Sequence, residues 1–215
     1  MKRPILLSGV LIVAALAASA AASPTSAIES VGTIGNSSGF FDGSAGYKFT
    51  LSQSMTVSQL GYFDFNRYGG GTGMERAHNV AIFDVSTQEK LVSADVTAES
   101  PVDSNLYHWV SCAETVLQAN HEYAILAYFG SGNHDAYYIT LTSDAWGRVI
   151  NPNVTLGNGV YKYQGTGDGS PAVYFDTVNT TEQYLMPNFD VPEPCTLALL
   201  AAAGGLTAVI RRRRR

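Results

Sequence analysis

Cysteine and basic side chains are both scarce in this chain of 215 residues. The two cysteines, Cys112 and Cys195, are too few for a scaffold of several disulfides. Between Glu29 and Glu193 the chain has six basic residues and all 18 of its acidic ones, hence a formal net charge of −12, whereas the whole chain carries −5. Such an acidic segment repels polyanions, so the sequence predicts no binding to nucleic acid.

The first 22 residues have the pattern of a secretory signal peptide. Two basic residues precede an uncharged apolar run from Ile5 to Ala18, and three alanines occupy positions 20–22. Signal peptidase requires such small residues before its cleavage site. We therefore expect export, with cleavage by signal peptidase after Ala22 or Ala20. An uncleaved N-terminal anchor is the alternative.

The C-terminal end combines an apolar run with a block of arginines. The run from Leu197 to Ile210 is short for a membrane span, which takes roughly 17–25 residues, so flanking residues are needed to complete it. Arginines favour the cytoplasmic side of a membrane. The pattern predicts a transmembrane helix with the preceding domain outside the cell. The cytoplasmic stop signal would consist of Arg211, Arg212, Arg213, Arg214 and Arg215.

The triplet Pro192, Glu193 and Pro194 stands just before this run. With the apolar helix and the terminal arginines behind it, residues 191–215 resemble the PEP-CTERM sorting signal. The resemblance implies that a membrane-embedded exosortase recognises the triplet and cleaves near it. It also implies an inner-membrane intermediate, delivery to the cell surface or extracellular matrix, and a link to exopolysaccharide and biofilm formation. A plain membrane anchor behind a proline-rich spacer is the alternative.

Residues 23–190 form the domain between these signals, and their pattern is that of a β-rich fold. About ten short segments alternate apolar and polar residues, as in Tyr47–Leu51 and Lys90–Val96, and no segment has the period of an amphipathic helix. Val154–Leu156 and Val160–Tyr163 flank Gly157-Asn158-Gly159, which predicts a hairpin. Ala172–Phe175 reads as a further strand. We expect an all-β, jelly-roll-like β-sandwich.

Three aromatic motifs in this domain also resemble an uncharacterised β-sandwich domain of secreted bacterial proteins. They are Tyr47 to Leu51, Leu60 to Asp64 and His78 to Asp84, within a stretch from Gly46 to about Thr142. The resemblance supports the sandwich and implies no known activity.

A glycine-rich loop follows Asp64 and Asn66 and is the candidate metal site. Hard oxygen ligands in such a loop suit Ca²⁺, and Asp84 would arrive from the next strand. The twelve-residue pattern of an EF-hand is missing. A long structural hairpin loop explains the same glycines, so both readings stay open.

Exposed aromatic side chains are the candidates for ligand stacking. Tyr68 and Trp109 are the candidates, because aromatic faces on a sandwich can stack on sugar rings, although tyrosine also fills β-sandwich cores. They suggest a carbohydrate-binding module.

No catalytic arrangement stands out in the sequence. The four histidines lack metal-ligand spacing, which predicts scattered surface or loop positions: His78, His108, His121 and His134. No nucleophile elbow or phosphate loop is present. We expect a protein that is not an enzyme. Its expected role is structural or adhesive at the cell surface; a carbohydrate-binding module with a Ca²⁺-stabilised loop is the alternative, and a secreted hydrolase is the weakest one.

Overall fold

The computed structural model describes residues 25–32, 36–38, 42–129, 135, 137–141, 147–163 and 172–191. The predicted signal peptide, Pro-Glu-Pro motif, C-terminal helix and arginine run all lie outside these ranges. Within them, no helix combines the length and the apolar character that crossing a membrane requires.

Regular structure in the described ranges is predominantly β-strand, which confirms the all-β prediction. A single short helix, α1 (Phe65–Tyr68), is described beside the strands. The strands in chain order are β1 (Thr25–Ser26), β2 (Ile28–Ser30), β3 (Asn36–Ser38), β4 (Gly43–Leu51), β5 (Met55–Phe63), β6 (His78–Asp84), β7 (Lys90–Val96), β8 (Tyr107–Leu117), β9 (Glu122–Tyr128), β10 (Tyr137–Leu141), β11 (Val149–Ile150), β12 (Val154–Tyr163), β13 (Thr177–Asn179), β14 (Glu182–Gln183) and β15 (Pro187–Val191).

The strands form two large antiparallel sheets and two small ones. The larger sheet has the order β13-β12-β4-β9-β6-β7, and the second has the order β1-β15-β5-β8. The small sheets are β14-β10-β3 and β11-β2. Neighbours in each sheet are mostly distant in sequence, so the fold depends on long-range pairing.

The main core lies between the two large sheets. Strand side chains alternate between faces, and alternate residues of β4 and β5 point inward. Phe49 of β4 meets Phe189 of β15 with ring centroids 4.6 Å apart, and both side chains are buried. A core filled from both sheets gives the molecule its sandwich-like character.

A second, smaller apolar cluster covers the outer face of the larger sheet. The segment 172–175 lies across this face, where Tyr174 contacts Phe83 with ring centroids 5.9 Å apart. The sequence predicted a strand here, but the segment pairs with no strand. Its amides bond side chains instead: Ala172 N donates to Asn79 Oδ1 at 3.0 Å and Val173 N to Ser44 Oγ at 3.2 Å.

The predicted hairpin at Gly157-Asn158-Gly159 is wrong. β12 runs straight through these residues, and both of its halves pair with the same strand, β4. The register shifts between Leu156 and Gly159, so the extra residues form a bulge. A Cβ atom at Gly159 would lie 2.1 Å from Glu182 O. This glycine therefore permits a close approach of two backbones rather than a turn.

Candidate functional site

A cleft of about 620 Å³ opens beside Trp109 of β8. Its walls come from the start of the described chain, from β5 and from the loop at 101–105. The residues that line it beside Trp109 include two carboxylates and two amides, in addition to three hydroxyl residues: Glu29, Asp103, Gln59, Asn105, Thr25, Ser26 and Ser104. An aromatic face surrounded by a few convergent polar groups is the usual composition of a small-ligand site.

Trp109 is held in one orientation by its neighbours. It stands opposite Gly61 on the adjacent strand, and a Cβ atom at Gly61 would lie 2.8 Å from the indole Cζ3. The indole Nε1 donates to Asp103 Oδ2 at 2.9 Å. The absence of a side chain at Gly61 therefore makes room for the indole against β5, and Trp109 also lines the cleft.

Asp103 holds together the loop at 101–105, which forms one wall of the cleft. Its Oδ1 accepts from the amides of Asn105 at 2.8 Å and Tyr107 at 3.0 Å, while Oδ2 accepts from the indole. Leu106 takes a φ of 65° in this turn. Both carboxylate oxygens of Asp103 are thus engaged within the chain. Glu29 makes no hydrogen bond or ion pair with any described residue, so its carboxylate is the open charge of the cleft.

The glycine-rich loop is held by two buried carboxylates. Asp64 caps α1 by accepting from Arg67 N at 2.9 Å, and its Oδ2 lies 3.2 Å from His108 Nε2. Asp135 lies on the other side of the loop, where its Oδ1 accepts from Asn66 Nδ2 at 2.7 Å. The two predicted calcium ligands at the start of the loop, Asp64 and Asn66, are therefore already bonded to the chain's own groups.

Asp135 accepts hydrogen bonds from several neighbouring residues. Besides Asn66, it accepts from Glu75 N at 2.9 Å and Arg76 N at 3.2 Å, and its Oδ2 lies 2.9 Å from His78 Nε2. Burial by itself raises the pKa of this carboxyl, but the hydrogen bonds from His78 and the two amides outweigh it and lower the pKa below its ordinary value. Asp135 is consequently a negative anchor for the loop.

Asp84, the third predicted calcium ligand, lies elsewhere. It ends β6, whereas His78, which meets Asp135, begins it. Six residues of strand separate the two by about 20 Å. Hydrogen bonds from the Ser86 hydroxyl and nearby amides, together with His121, hold the pKa of Asp84 well below its ordinary value. Among the described residues no group of three or more His, Cys, Asp or Glu side chains is placed to hold a metal ion.

The described histidines each pair with one aspartate. His78 and His108 are buried, which differs from the expected surface positions, and His134 lies outside the described residues. His78 Nδ1 lies 3.1 Å from Tyr128 O, and His108 Nδ1 lies 2.8 Å from Ser100 O. Each ring nitrogen thus faces an oxygen acceptor. A neutral imidazole carries one N–H, so a ring donates both bonds only when both of its nitrogens are protonated. Neither ring has a nitrogen left for general-base chemistry.

Tyr62 links this cluster to the core. Its ring stacks on His78 with centroids 3.8 Å apart and planes within 7°. Burial, and then the negative charges of Asp135 and Asp64, raise the pKa of its hydroxyl well above the ordinary value. The hydroxyl is a poor acid in this environment, which favours a packing role.

The two predicted stacking residues do not share a site. Tyr68 is 46% exposed on α1, where it packs near Phe63 and Phe65 with ring centroids 6.0 and 6.3 Å away. It does not line the cleft of Trp109. The sequence singled out Trp109 but not Glu29 and Asp103, which line the same cleft. No short-range pattern marks them, because Glu29 and Trp109 are 80 residues apart.

No protein-family model and no curated protein matches the chain.

Proposed function

We propose that this chain is an exported surface protein of structural or adhesive type, delivered through a tail of the PEP-CTERM kind. The observation that supports it is the pairing of the first described strand with the last. Thr25 stands opposite Val191, and Thr25 Oγ1 donates to Val191 O at 2.7 Å. The predicted cleavages after Ala22 and near Pro192 would thus fall just outside one pair of neighbouring strands.

This arrangement suits a domain that is processed at both ends. Cleavage at either position leaves β1 and β15 whole, so the sandwich keeps its pairing after both cuts. In the membrane-bound intermediate, the domain would stand on a single corner next to the anchor. After release it would act at the cell surface or in the extracellular matrix, in association with exopolysaccharide.

Mass spectrometry of the mature protein from its own host tests this proposal. We expect an N-terminus at Ser23 or Ala21 and a C-terminus near the Pro192-Glu193-Pro194 triplet. Deletion of the host exosortase should restore the full tail. A mature protein that keeps Arg215 would contradict exosortase processing and leave a plain anchor.

We further infer that the sandwich has jelly-roll connectivity. In a jelly roll the first and last strands are neighbours, and the chain crosses repeatedly between two facing sheets. The orders β1-β15-β5-β8 and β4-β9-β6-β7 follow that rule, with β12 added beside β4. Lectin domains are among the proteins that use this architecture, although a fold by itself assigns no function.

Saccharide binding in the cleft of Trp109 is the second candidate function. The observation that favours it is the indole of Trp109, which packs against Gly61, donates to Asp103 and lines a cleft with amide and carboxylate groups. Aromatic faces stack on the apolar faces of sugar rings, and the polar groups bond hydroxyls. We propose binding rather than hydrolysis, because Asp103 is engaged by three donors and leaves Glu29 as the open carboxylate.

Pull-down on insoluble and gel-embedded polysaccharides tests the second candidate. Trp109→Ala should abolish retention, whereas Tyr163→Ala should not, because Tyr163 is an exposed aromatic (67%) that does not line the cleft. Retention of the Trp109→Ala protein would contradict the site, and release of reducing ends from a retained polysaccharide would contradict the non-enzymatic reading.

The calcium part of the alternative has its own test. The loop's carboxylates already accept from Arg67 N, Asn66 and the amides at 75 and 76, so we propose that the loop needs no cation. EDTA should therefore leave the melting temperature unchanged in differential scanning fluorimetry. A drop of several degrees that Ca²⁺ reverses, and Mg²⁺ does not, would establish a calcium site.

A further inference from the structure

We propose that the cleft of Trp109 selects saccharides that carry a free, protonated amino group. This inference rests on the saccharide-binding candidate and adds to it the charge of the ligand. It depends on three features of the cleft: which carboxylate is open, which charges are missing from the walls, and what the indole offers.

The open carboxylate is that of Glu29. Asp103 shares the cleft, but its oxygens hold the amides of Asn105 and Tyr107 and the indole of Trp109. Replacing any of these donors would dismantle the loop that forms the wall. Glu29 is half-buried and has no partner among the described residues, so a ligand is free to supply one. A charged donor on the ligand makes the strongest bond to such a group.

Among the described residues that line the cleft there is no lysine, arginine or histidine. The segment from Glu29 to Glu193 also carries a formal net charge of −12. Both the local and the overall field therefore attract cations and repel anions. Uronates, sulfated sugars and phosphorylated sugars would place a second negative charge beside Glu29 without compensation. A cationic sugar is favoured over these classes.

The indole face fits the same ligand. An aromatic face accepts the C–H face of a sugar ring, and it attracts a cation placed above it. The amide side chains of Gln59 and Asn105 remain for the sugar hydroxyls, since the structure engages neither side chain elsewhere among the described residues. A glucosamine-type unit thus satisfies the aromatic, the amide and the carboxylate groups of the cleft together.

Isothermal titration with three matched oligosaccharides tests the proposal. The probes are a glucosamine oligomer, its N-acetylated counterpart of equal length and linkage, and an oligouronate, all in mildly acidic buffer where the sugar amine is protonated. The glucosamine oligomer should bind about tenfold more tightly than the acetylated one, and the uronate should not bind. The preference should shrink as salt is raised.

Glu29→Gln should remove the preference and leave the acetylated oligomer binding as before. Trp109→Ala should lose both ligands, and Tyr163→Ala should behave as the unmodified protein. Near-ultraviolet circular dichroism establishes that each variant is folded. If Trp109→Ala is unfolded, Asn105→Ala, which removes an amide of the cleft while the Asn105 backbone bond to Asp103 stays, should weaken both oligomers.

The outcomes separate the two levels of the argument. Equal binding of the amino and acetylated oligomers would overturn amine selectivity and keep the saccharide site. Tighter binding of the uronate than of the glucosamine oligomer would also overturn amine selectivity. No binding of any oligosaccharide would overturn the saccharide site itself, while the mass of the mature protein would still decide the export proposal independently.

Discussion

Asp135 shows how a single side chain organises residues that are far apart in sequence. Its carboxylate joins Asn66, the amides at 75 and 76, and His78 into one buried network. Each donor on its own contributes about 1–3 kcal/mol when the acceptor is charged. These hydrogen bonds replace water around a buried charge. Their contributions to stability are therefore more strongly coupled than those of separate hydrogen bonds on a surface.

Asp135→Asn should be one of the most destabilising single changes in the domain. It removes the negative charge that faces His78 and leaves a buried donor unpaired, a loss of about 3–5 kcal/mol in the free energy of unfolding. Urea unfolding followed by fluorescence measures it. Asp176→Asn is the matched control, because Asp176 is exposed and meets Lys162 at 3.8 Å, so no measurable change is expected. Equal effects of the two substitutions would contradict the network.

The depressed pKa values of Asp135 and Asp84 predict a loss of stability in acid. Both pKa values lie below the ordinary 3.8 in the folded protein, so the unfolded chain takes up protons first as pH falls. Their stabilising effect is complete above about pH 5, about one unit above the unfolded pKa, and is lost as pH drops through the folded values. Urea midpoints across an acid series should fall steeply below that point. Asp135→Asn should flatten the slope, and Asp176→Asn should leave it unchanged.

At the scale of elements, β12 shows why a local turn signal was misleading. Asn-Gly between two apolar runs predicts a hairpin when the flanking runs pair with each other. Here both runs pair with β4, and the glycines serve close contacts with neighbouring backbones. The strand Lys90–Val96, by contrast, was predicted with the observed bounds, because its alternation and its flanking turn are both local.

Gly159→Ala tests the close approach of the β12 backbone to Glu182 of β14. The added Cβ would lie 2.1 Å from Glu182 O, so the strand must shift, at a cost of about 1–3 kcal/mol in the free energy of unfolding. Gly69→Ala is the matched control, because its Cβ would meet atoms at 3.6 Å and beyond, an ordinary contact. Thermal unfolding compares the two. A Gly159→Ala protein as stable as the control would contradict the close approach.

At the scale of the whole molecule, the two ends of the described chain are tied together. Asn188 of β15 accepts from Ile28 N at 3.0 Å and donates to Ile28 O at 2.9 Å, and both residues are buried. The first residues of the domain are therefore part of its core rather than a leading tail. The cleft of Trp109 lies beside this junction, since Thr25 and Ser26 line it.

Asn188→Ala should loosen the junction before the rest of the sandwich. Loss of both bonds removes the acceptor of the buried Ile28 amide, whereas the Ile28 carbonyl still accepts from Ser26 Oγ at 2.6 Å, so the expected loss in the free energy of unfolding is about 1–3 kcal/mol. Hydrogen exchange should show faster exchange at residues 27–30, and Asn179→Ala, at the end of β13 in the larger sheet, should not change these amides. Uniform loss of protection across the domain would contradict a local junction.

The sequence by itself determined the class of fold. Alternating polarity is a local property, because each strand must present one face to a core, and so the all-β character was readable from residues alone. Trp109 was also identifiable as an unusual aromatic. The export and sorting interpretation likewise depends on contiguous segments, and it stays a prediction.

Tertiary structure alone decided which side chains share a site. Asp64, Asn66 and Asp84 looked like one ligand set, but β6 carries Asp84 to the far end of the sheet. Glu29 and Trp109 looked unrelated, yet they line one cleft beside the paired first and last described strands, β1 and β15. The physical reason is that strand partners are chosen by burial summed over the whole core, which no short stretch of sequence records.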